Sequence, residues 1–204
     1  MARGSLLAFE GIDASGKSTQ ARRVAAARDA LFTFEPGDSE LGAELRQWVL
    51  DAARPMTPAT TALLMLADRA HHVATVIEPA LAAGRSVVSD RYAASTLAYQ
   101  GYGAGLDLDA LRAASRLACG GCVPVLTILL DVPVSVARAR RPPSGADRFE
   151  AAGEAFAEAV RRGFLELAAA GAEQWLVVDG TADPSDVAAV IDARLDALGW
   201  PAGG

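Results

Sequence analysis

Several kinds of residue are scarce in this chain, and each scarcity closes off a class of protein. Two cysteines and two histidines in 204 residues exclude a disulfide scaffold and leave little for a metal cluster. Cys119 and Cys122 form Cys-Gly-Gly-Cys, a spacing used by redox pairs and by half of many zinc sites. Zinc would need two more ligands, and His71 and His72 are adjacent on an expected helix, pointing to different sides. A redox pair usually opens a helix. This one follows a helical stretch and precedes a strand, so we read it as a helix end with Gly120 and Gly121 as the stop. Positive charge is also in deficit. A net charge of −6 argues against a general nucleic-acid surface and against an anionic membrane surface. No run of about 18 apolar residues occurs, so no transmembrane helix is expected. Met1-Ala2-Arg3-Gly4 leads directly into an apolar strand and a Gly-rich loop, with no room there for a signal peptide. A cytoplasmic protein is the corresponding expectation.

What is present is an ordinary globular mix, 51% hydrophobic and 22% charged, in a chain long enough for one α/β domain spanning 1–204. Internal repeats, low-complexity stretches and inter-domain linkers are not apparent. Apolar runs alternate with helical periods. Strands are expected at Leu6–Phe9, Leu31–Phe34, Ser86–Ser89, Val123–Asp131 and Trp175–Asp179. Helices are expected over 18–28, 41–51, from Thr57 or Thr60 to about Ala82, from Asp107 or Asp109 to about Ala118, from Pro133 to Arg141, over 149–170 and over 184–198. The alternation predicts a doubly wound, parallel five-stranded sheet with helices on both faces. The tail 199–204 is expected to fray.

The stretch that organises the chain is Gly11-x-x-x-x-Gly16-Lys17-Ser18, placed between an apolar strand and a helix. This is the P-loop pattern. Glycine lets the backbone approach phosphate oxygens without a side chain in the way. Successive N–H groups and the helix N-terminus then face one anion. Gly11, Ile12, Asp13, Ala14, Ser15, Gly16, Lys17, Ser18 and Thr19 are therefore the expected cradle for the phosphates of ATP. Lys17 supplies a point charge to the β- and γ-phosphates, and Ser18 offers a hydroxyl to Mg²⁺.

Other candidates fall at strand ends, where ligands of open parallel sheets bind. Asp90-Arg91 closes the third apolar run. It reads as a carboxylate that orders Mg²⁺, directly or through water, beside an arginine for phosphate. Arg138, Arg140, Arg141 and Arg148 flank Pro142-Pro143-Ser144-Gly145. They suggest a short Arg-rich lid at about 140–148 that closes guanidinium groups over a transferring phosphoryl group. Asp68-Arg69, Arg46 and Tyr99-Gln100-Gly101 are weaker signals, each equally readable as an ordinary surface or core segment.

Taken in order, these segments resemble the thymidylate kinase family of P-loop nucleoside-monophosphate kinases. The resemblance rests on Phe9-Glu10-Gly11 through Gln20, Glu35-Pro36-Gly37, Asp90-Arg91-Tyr92 through Ser95-Thr96-Leu97-Ala98-Tyr99-Gln100-Gly101, Leu129-Leu130-Asp131-Val132-Pro133 and Asp147-Arg148-Phe149-Glu150. It implies a P-loop kinase fold and transfer of the ATP γ-phosphoryl group to dTMP, with Mg²⁺, in a homodimer. It implies that Asp13 holds the sugar 3′-hydroxyl and that Arg46 and Arg91 hold the acceptor phosphate. Arg69 and Gln100 would read the thymine, and Tyr99 would pack near the sugar. Glu35, Met65 and Ser95 complete the implied dTMP site. Lys17, Asp90, Arg91, Arg140, Arg141 and Arg148 form the implied catalytic set, the lid arginines standing in for the P-loop arginine that some members carry where this chain has Ala14. The chain departs from the family pattern at Phe34, usually Arg, and at Met65, usually Phe. The connection between its first helix and second strand is also short. Those departures keep two alternatives in view: a nucleotide-binding homologue with little turnover, and a kinase for another deoxynucleotide or a nucleoside.

Overall fold

The computed structural model describes residues 2–141 and 148–200. Its centre is β1 (Leu6–Glu10), every residue of which is buried. Alternate side chains of β1 serve two layers. Leu7 and Phe9 pack with α1 (Lys17–Ala27) through Ala21, Val24 and Ala25. Leu6 and Ala8 pack on the opposite side with Val73, Ile77 and Leu81. A strand covered on both faces reads as an unbroken apolar run, which is why Leu-Leu-Ala-Phe shows no alternation.

After α1, Asp29 takes a left-handed backbone conformation (φ 48°) and turns the chain into β2 (Leu31–Phe34). This tight turn accounts for the short connection. α2 (Glu40–Leu50) is capped by the Ser39 side chain, which accepts from the Gly42 N–H. α3 (Pro58–His72) is capped by Thr57. The expected long helix does run on to Ala82, but through a π-helical stretch, Val73–Ile77, before α4 (Glu78–Ala82). β3 (Val87–Asp90) follows, then α5 (Ala93–Thr96) and a second π-helical stretch, Leu97–Gly103. α6 (Leu108–Cys119) ends at Gly120, which is left-handed, so Cys-Gly-Gly-Cys is a helix stop and both thiols are free and buried.

β4 (Leu126–Asp131) starts three residues later than the apolar run suggests. Pro124 has no N–H to give a ladder, and Val123 and Val125 remain exposed. α7 (Val134–Arg140) leads to the segment expected as a lid, of which residues 142–147 lie outside the described residues. The helix expected over 149–170 is two helices, α8 (Arg148–Ala151) and α9 (Glu154–Ala170). Gly153 separates them at φ 92°, a conformation a helix cannot contain. β5 (Trp175–Asp179) and α10 (Pro184–Ala197) complete the order. The expectation of a frayed tail fails for its first part. Trp200 is 5% exposed and packs among Val187, Ile191 and Leu195; its indole is large enough to repay ordering the chain there.

All strand pairs are parallel and the order is β2-β3-β1-β4-β5. The order reverses at β1, so the crevice beside its carboxyl end is the switch point of the sheet. Register then sets the neighbours: Phe9 lies opposite Asp90, Glu10 opposite Leu129, and Phe34 opposite Asp90. The segments after β1, β2 and β3 therefore emerge together.

Candidate active site

The turn after β1 is shaped by its backbone. Gly11 has φ 141°, and a Cβ there would approach Leu130 O at 2.6 Å. Ala14 is left-handed at φ 63°, and Gly16, at φ 94°, stands immediately before α1. The Lys17 ammonium folds back over this loop, 3.4 Å from Ile12 O and 3.6 Å from Asp13 Oδ1. Burial, and then the charge of Arg91, push its pKa below the ordinary lysine value. Ser18 and Thr19 stay exposed at the start of the helix.

Arg91 is the hub of the opposite wall. It takes a left-handed backbone (φ 73°), a conformation that costs a non-glycine residue energy and recurs at ligand sites. One terminal nitrogen donates to Asp13 Oδ1 (2.6 Å) and to the Tyr99 hydroxyl (3.1 Å). The other donates to Ser95 Oγ (3.1 Å) and Gly11 O (3.3 Å). Burial alone would raise the pKa of Asp13, but Arg91 and Lys17 outweigh it and hold the carboxyl well below its usual range. Asp13 is thus a fixed anion between two cations.

Glu10 braces Arg91 from behind. Its Oε1 accepts from the N–H groups of Tyr92 (2.9 Å) and Ser95 (3.1 Å), and its Oε2 from the Ser95 hydroxyl (2.6 Å). Burial pushes the Glu10 pKa up to about 7 against these hydrogen bonds and the nearby Arg91 charge. Asp90 is 8% exposed, and its Oδ1 has no hydrogen-bond partner among the described residues. An unsatisfied buried carboxylate oxygen beside a phosphate loop suits an incoming cation or its water.

Two cavities flank this centre. One is lined by Asp13, Glu35, Pro36, Arg46, Leu50, Met65, Arg91, Ser95, Tyr99 and Phe149. Most of the expected acceptor residues therefore converge. Arg46 donates to Pro36 O (2.7 Å), and its guanidinium lies 5.7 Å from the Phe34 ring centroid. Phe34 carries no charge, but it offers a ring face to Arg46. The other cavity lies across the P-loop, between Ser15, Gly16, Thr19 and Gln20 on one side and Arg140, Gly180, Ala182 and Pro184 on the other. Arg140 donates to Gly180 O at 2.8 Å.

Three expected residues stand elsewhere. Arg69 is 1% exposed and spends its nitrogens on Glu35 Oε2 (2.8 Å), Thr96 Oγ1 (2.7 Å) and Tyr92 O (3.0 Å). It is one layer behind the cavity wall. Gln100 is 2% exposed, with an Oε1 that has no partner among the described residues. Arg148 is not at the P-loop; it donates to the carbonyls of Val49 (3.0 Å), Asp51 (2.6 Å) and Arg54, at the end of α2. Exposed carbonyls at a helix C-terminus attract a cation. Arg141, by contrast, borders a third cavity with Ile12, Arg138 and Phe149.

Sequence reasoning missed several members. Phe149 meets the Tyr99 ring edge-on at 5.3 Å, and nothing in the sequence paired them. The Gly180–Pro184 turn was legible in principle, as the carboxyl end of a strand in a parallel sheet. So was His72, which shares a helix face with Asp68 and Arg69 by i, i+4 and i, i+3 spacing.

The profile of the thymidylate kinase family matches residues 9–191. The thymidylate kinase of Desulforudis audaxviator is 45% identical over 202 residues, covering 96% of this chain and 91% of that protein. That of Clavibacter michiganensis is 43% identical over 202 residues, covering 96% of each. The crystal structure of thymidylate kinase from Ehrlichia chaffeensis superimposes with a TM-score of 0.78 at 26% identity, covering 95% of this chain and 99% of that one. With the P-loop, the Arg91 hub and the paired cavities in place, these likenesses lead to one conclusion: the chain belongs to the thymidylate kinase family.

Proposed function

We propose that this protein transfers the γ-phosphoryl group of ATP to dTMP, giving ADP and dTDP, with ATP phosphates on the P-loop and dTMP in the cavity walled by Asp13, Arg46, Arg91 and Tyr99. The observation that carries this is the Asp13–Arg91–Tyr99 cluster, a carboxylate, a guanidinium and a phenol bonded to one another at the rim shared by loop and cavity. Such a cluster holds a sugar hydroxyl and a phosphate side by side. Phosphoryl transfer needs positioning and charge stabilisation rather than a strong base. Lys17 supplies charge at the donor, Arg91 and Arg46 at the acceptor, and Arg140 and Arg141 approach from the lid side. Arg148 reaches the end of α2 and ties the lid to the acceptor wall instead. Arg69 acts on the base only if it leaves Glu35, so we assign it to building the wall. Met65 lines the cavity where the family usually has Phe; a thioether packs against a ring through its polarizable sulfur.

Mg²⁺ fits the donor set. Ser18 hydroxyl and Asp90 Oδ1 are hard oxygen ligands, and the unsatisfied Oδ1 supports a cation or its water there. Mg²⁺ takes few protein ligands and completes its shell with water and phosphate. When bound it would neutralise charge on the transferring group. Apolar side chains left exposed on three helices, Leu41 and Trp48 on α2, Leu63 on α3 and Leu117 on α6, support pairing of two copies, which light scattering would test. No helix of the described residues is long and apolar enough to cross a membrane, and the cytoplasm, where nucleotides circulate, is our placement.

An ADP-release assay over dTMP, dUMP, dCMP, dGMP and thymidine tests the reaction. The reading requires the highest kcat/KM with dTMP. Absence of turnover with every acceptor defeats it, and preference for thymidine turns it to a nucleoside kinase.

A further inference from the structure

Three parts of the chain meet at Gly180, beside the P-loop. Gly180 follows β5, and its N–H donates to Asp131 O, at the end of β4, at 2.8 Å. A Cβ on Gly180 would stand 2.7 Å from Val132 Cγ1 and 3.1 Å from Ser15 O, so this turn is wedged between the end of β4 and the P-loop. Gly180 O accepts from Arg140 Nη1 at 2.8 Å. Arg140 and Gly180 line one cavity with Ser15, Gly16 and Thr19. Where Arg140 points therefore depends on where Asp131 places its carbonyl.

Asp131 is itself held by an arginine that lines none of the three cavities around the P-loop. Arg161, on α9, donates from Nε to Asp131 Oδ1 at 2.7 Å and from Nη2 to Asp131 Oδ2 at 2.8 Å. Two parallel bonds between planar groups fix orientation as well as distance. The pair is partly buried, with side chains 27% and 20% exposed, and is screened less than a fully solvated one. α9 gives the guanidinium a firm base. Val160 and Phe164 are each 1% exposed, and the Phe164 ring meets that of Tyr99 edge-on at 6.2 Å. We propose that Arg161 is a positioning residue for the donor nucleotide: its fork on Asp131 holds the Gly180 turn, and with it Arg140, where the ATP phosphates need them. The proposal rests on the reading of the P-loop cavity as the ATP site.

Two carboxylates hold the turn, and they differ in reach. Asp179 Oδ1 accepts from the Thr181 N–H at 2.8 Å and from its hydroxyl at 2.6 Å, a local closure made within β5 and the turn itself. Asp131 secures the other side only through α9, 30 residues further along the chain. The link from Arg161 to the cavity is short. It runs through Asp131, across one backbone hydrogen bond to Gly180, and across one more to Arg140. Loss of the fork would thus loosen the turn without removing a group that lines the cavity. A lysine at 161 could keep the charge but not the fork, because an ammonium is a point charge with no planar pair of donors.

The test is titration calorimetry of the full chain with Mg²⁺ and the β,γ-imido analogue of ATP, without acceptor. Arg161→Met should raise the Kd by at least about fivefold, the effect of a small misplacement at the site. Arg161→Lys should recover only part of that loss. In an Arg140→Met background, adding Arg161→Met should change the Kd by less than about twofold, because the arginine it positions is gone; independent contacts would multiply. KM for dTMP in Arg161→Met should stay near wild type. Asp131→Asn breaks the fork from the other side and stands in if Arg161→Met does not fold. An unchanged Kd in the folded variants overturns the proposal. So does the full fivefold loss repeated on top of Arg140→Met, or a KM for dTMP that rises as far as the Kd. A wild type that binds the analogue but does not phosphorylate dTMP defeats the functional reading alone; one that ignores the analogue defeats both.

Discussion

Lys17 and Glu10 are both buried ionisable groups at the P-loop, and their environments set them opposite tasks. Lys17 is 5% exposed, with Asp13 and Ile12 O as its near neighbours; in the proposed reaction its charge acts on a phosphate of ATP. Lys17→Ala should lower kcat by at least about a hundredfold, the scale of losing one charge aimed at the transition state. Near-normal kcat in a folded Lys17→Ala protein would refute the role. Glu10 has its folded pKa raised to about 7 from 4.5, chiefly by burial. A raised carboxyl pKa means that the folded protein holds the proton more tightly. The contribution of Glu10 to stability is therefore full below about 4.5 and is lost as pH rises through about 7. Glu10→Gln should flatten the pH dependence of Tm across that window. An undiminished slope would show that other groups produce it. At this scale the P-loop was the most legible feature, because its spacing encodes its geometry. The burial of Arg69 was not legible, because a helix surface position and a helix core position differ only by what packs above them.

Elements were recovered more faithfully than their ends. Every expected strand exists, but β4 waits for Leu126 because Pro124 interrupts the donors, and one long helix splits at Gly153 because that residue is left-handed. Neither effect shows in hydrophobic periodicity. The most demanding contact between elements is that of α9 with the stretch Leu97–Gly103. There Gly163 is a point of close approach: an added Cβ would stand 2.6 Å from the Tyr102 ring. Gly163→Ala gains helix propensity but must push the ring or the helix aside. We expect a net loss of about 1–3 kcal/mol from overpacking, measured by urea unfolding, and propagation to Tyr99 through the same stretch. A variant as stable as wild type would mean that Tyr102 swings away at little cost.

For the molecule as a whole, the alternation of strands and helices indicated a parallel sheet, but not the order of its strands. That order decides function here. Because it reverses at β1, the P-loop, Glu35 and Arg91 share one edge of the sheet. The core also draws in the chain's far end. Trp200 closes the layer formed by β1, β4, α1 and α10, although glycines around it suggested a loose tail. Trp200→Ala should cost about 3 kcal/mol, in the range for large-to-small core substitutions; a cost under about 0.5 kcal/mol, the scale of an ordinary surface change, would return that residue to the tail. The global claim is that two cavities on either side of one loop exchange a phosphoryl group. Its most direct measurement is a single-turnover reaction with γ-³²P-ATP, Mg²⁺ and dTMP. The label should pass to dTDP at the rate of ADP formation. Label that stays in ATP, or that leaves as inorganic phosphate, would contradict the account.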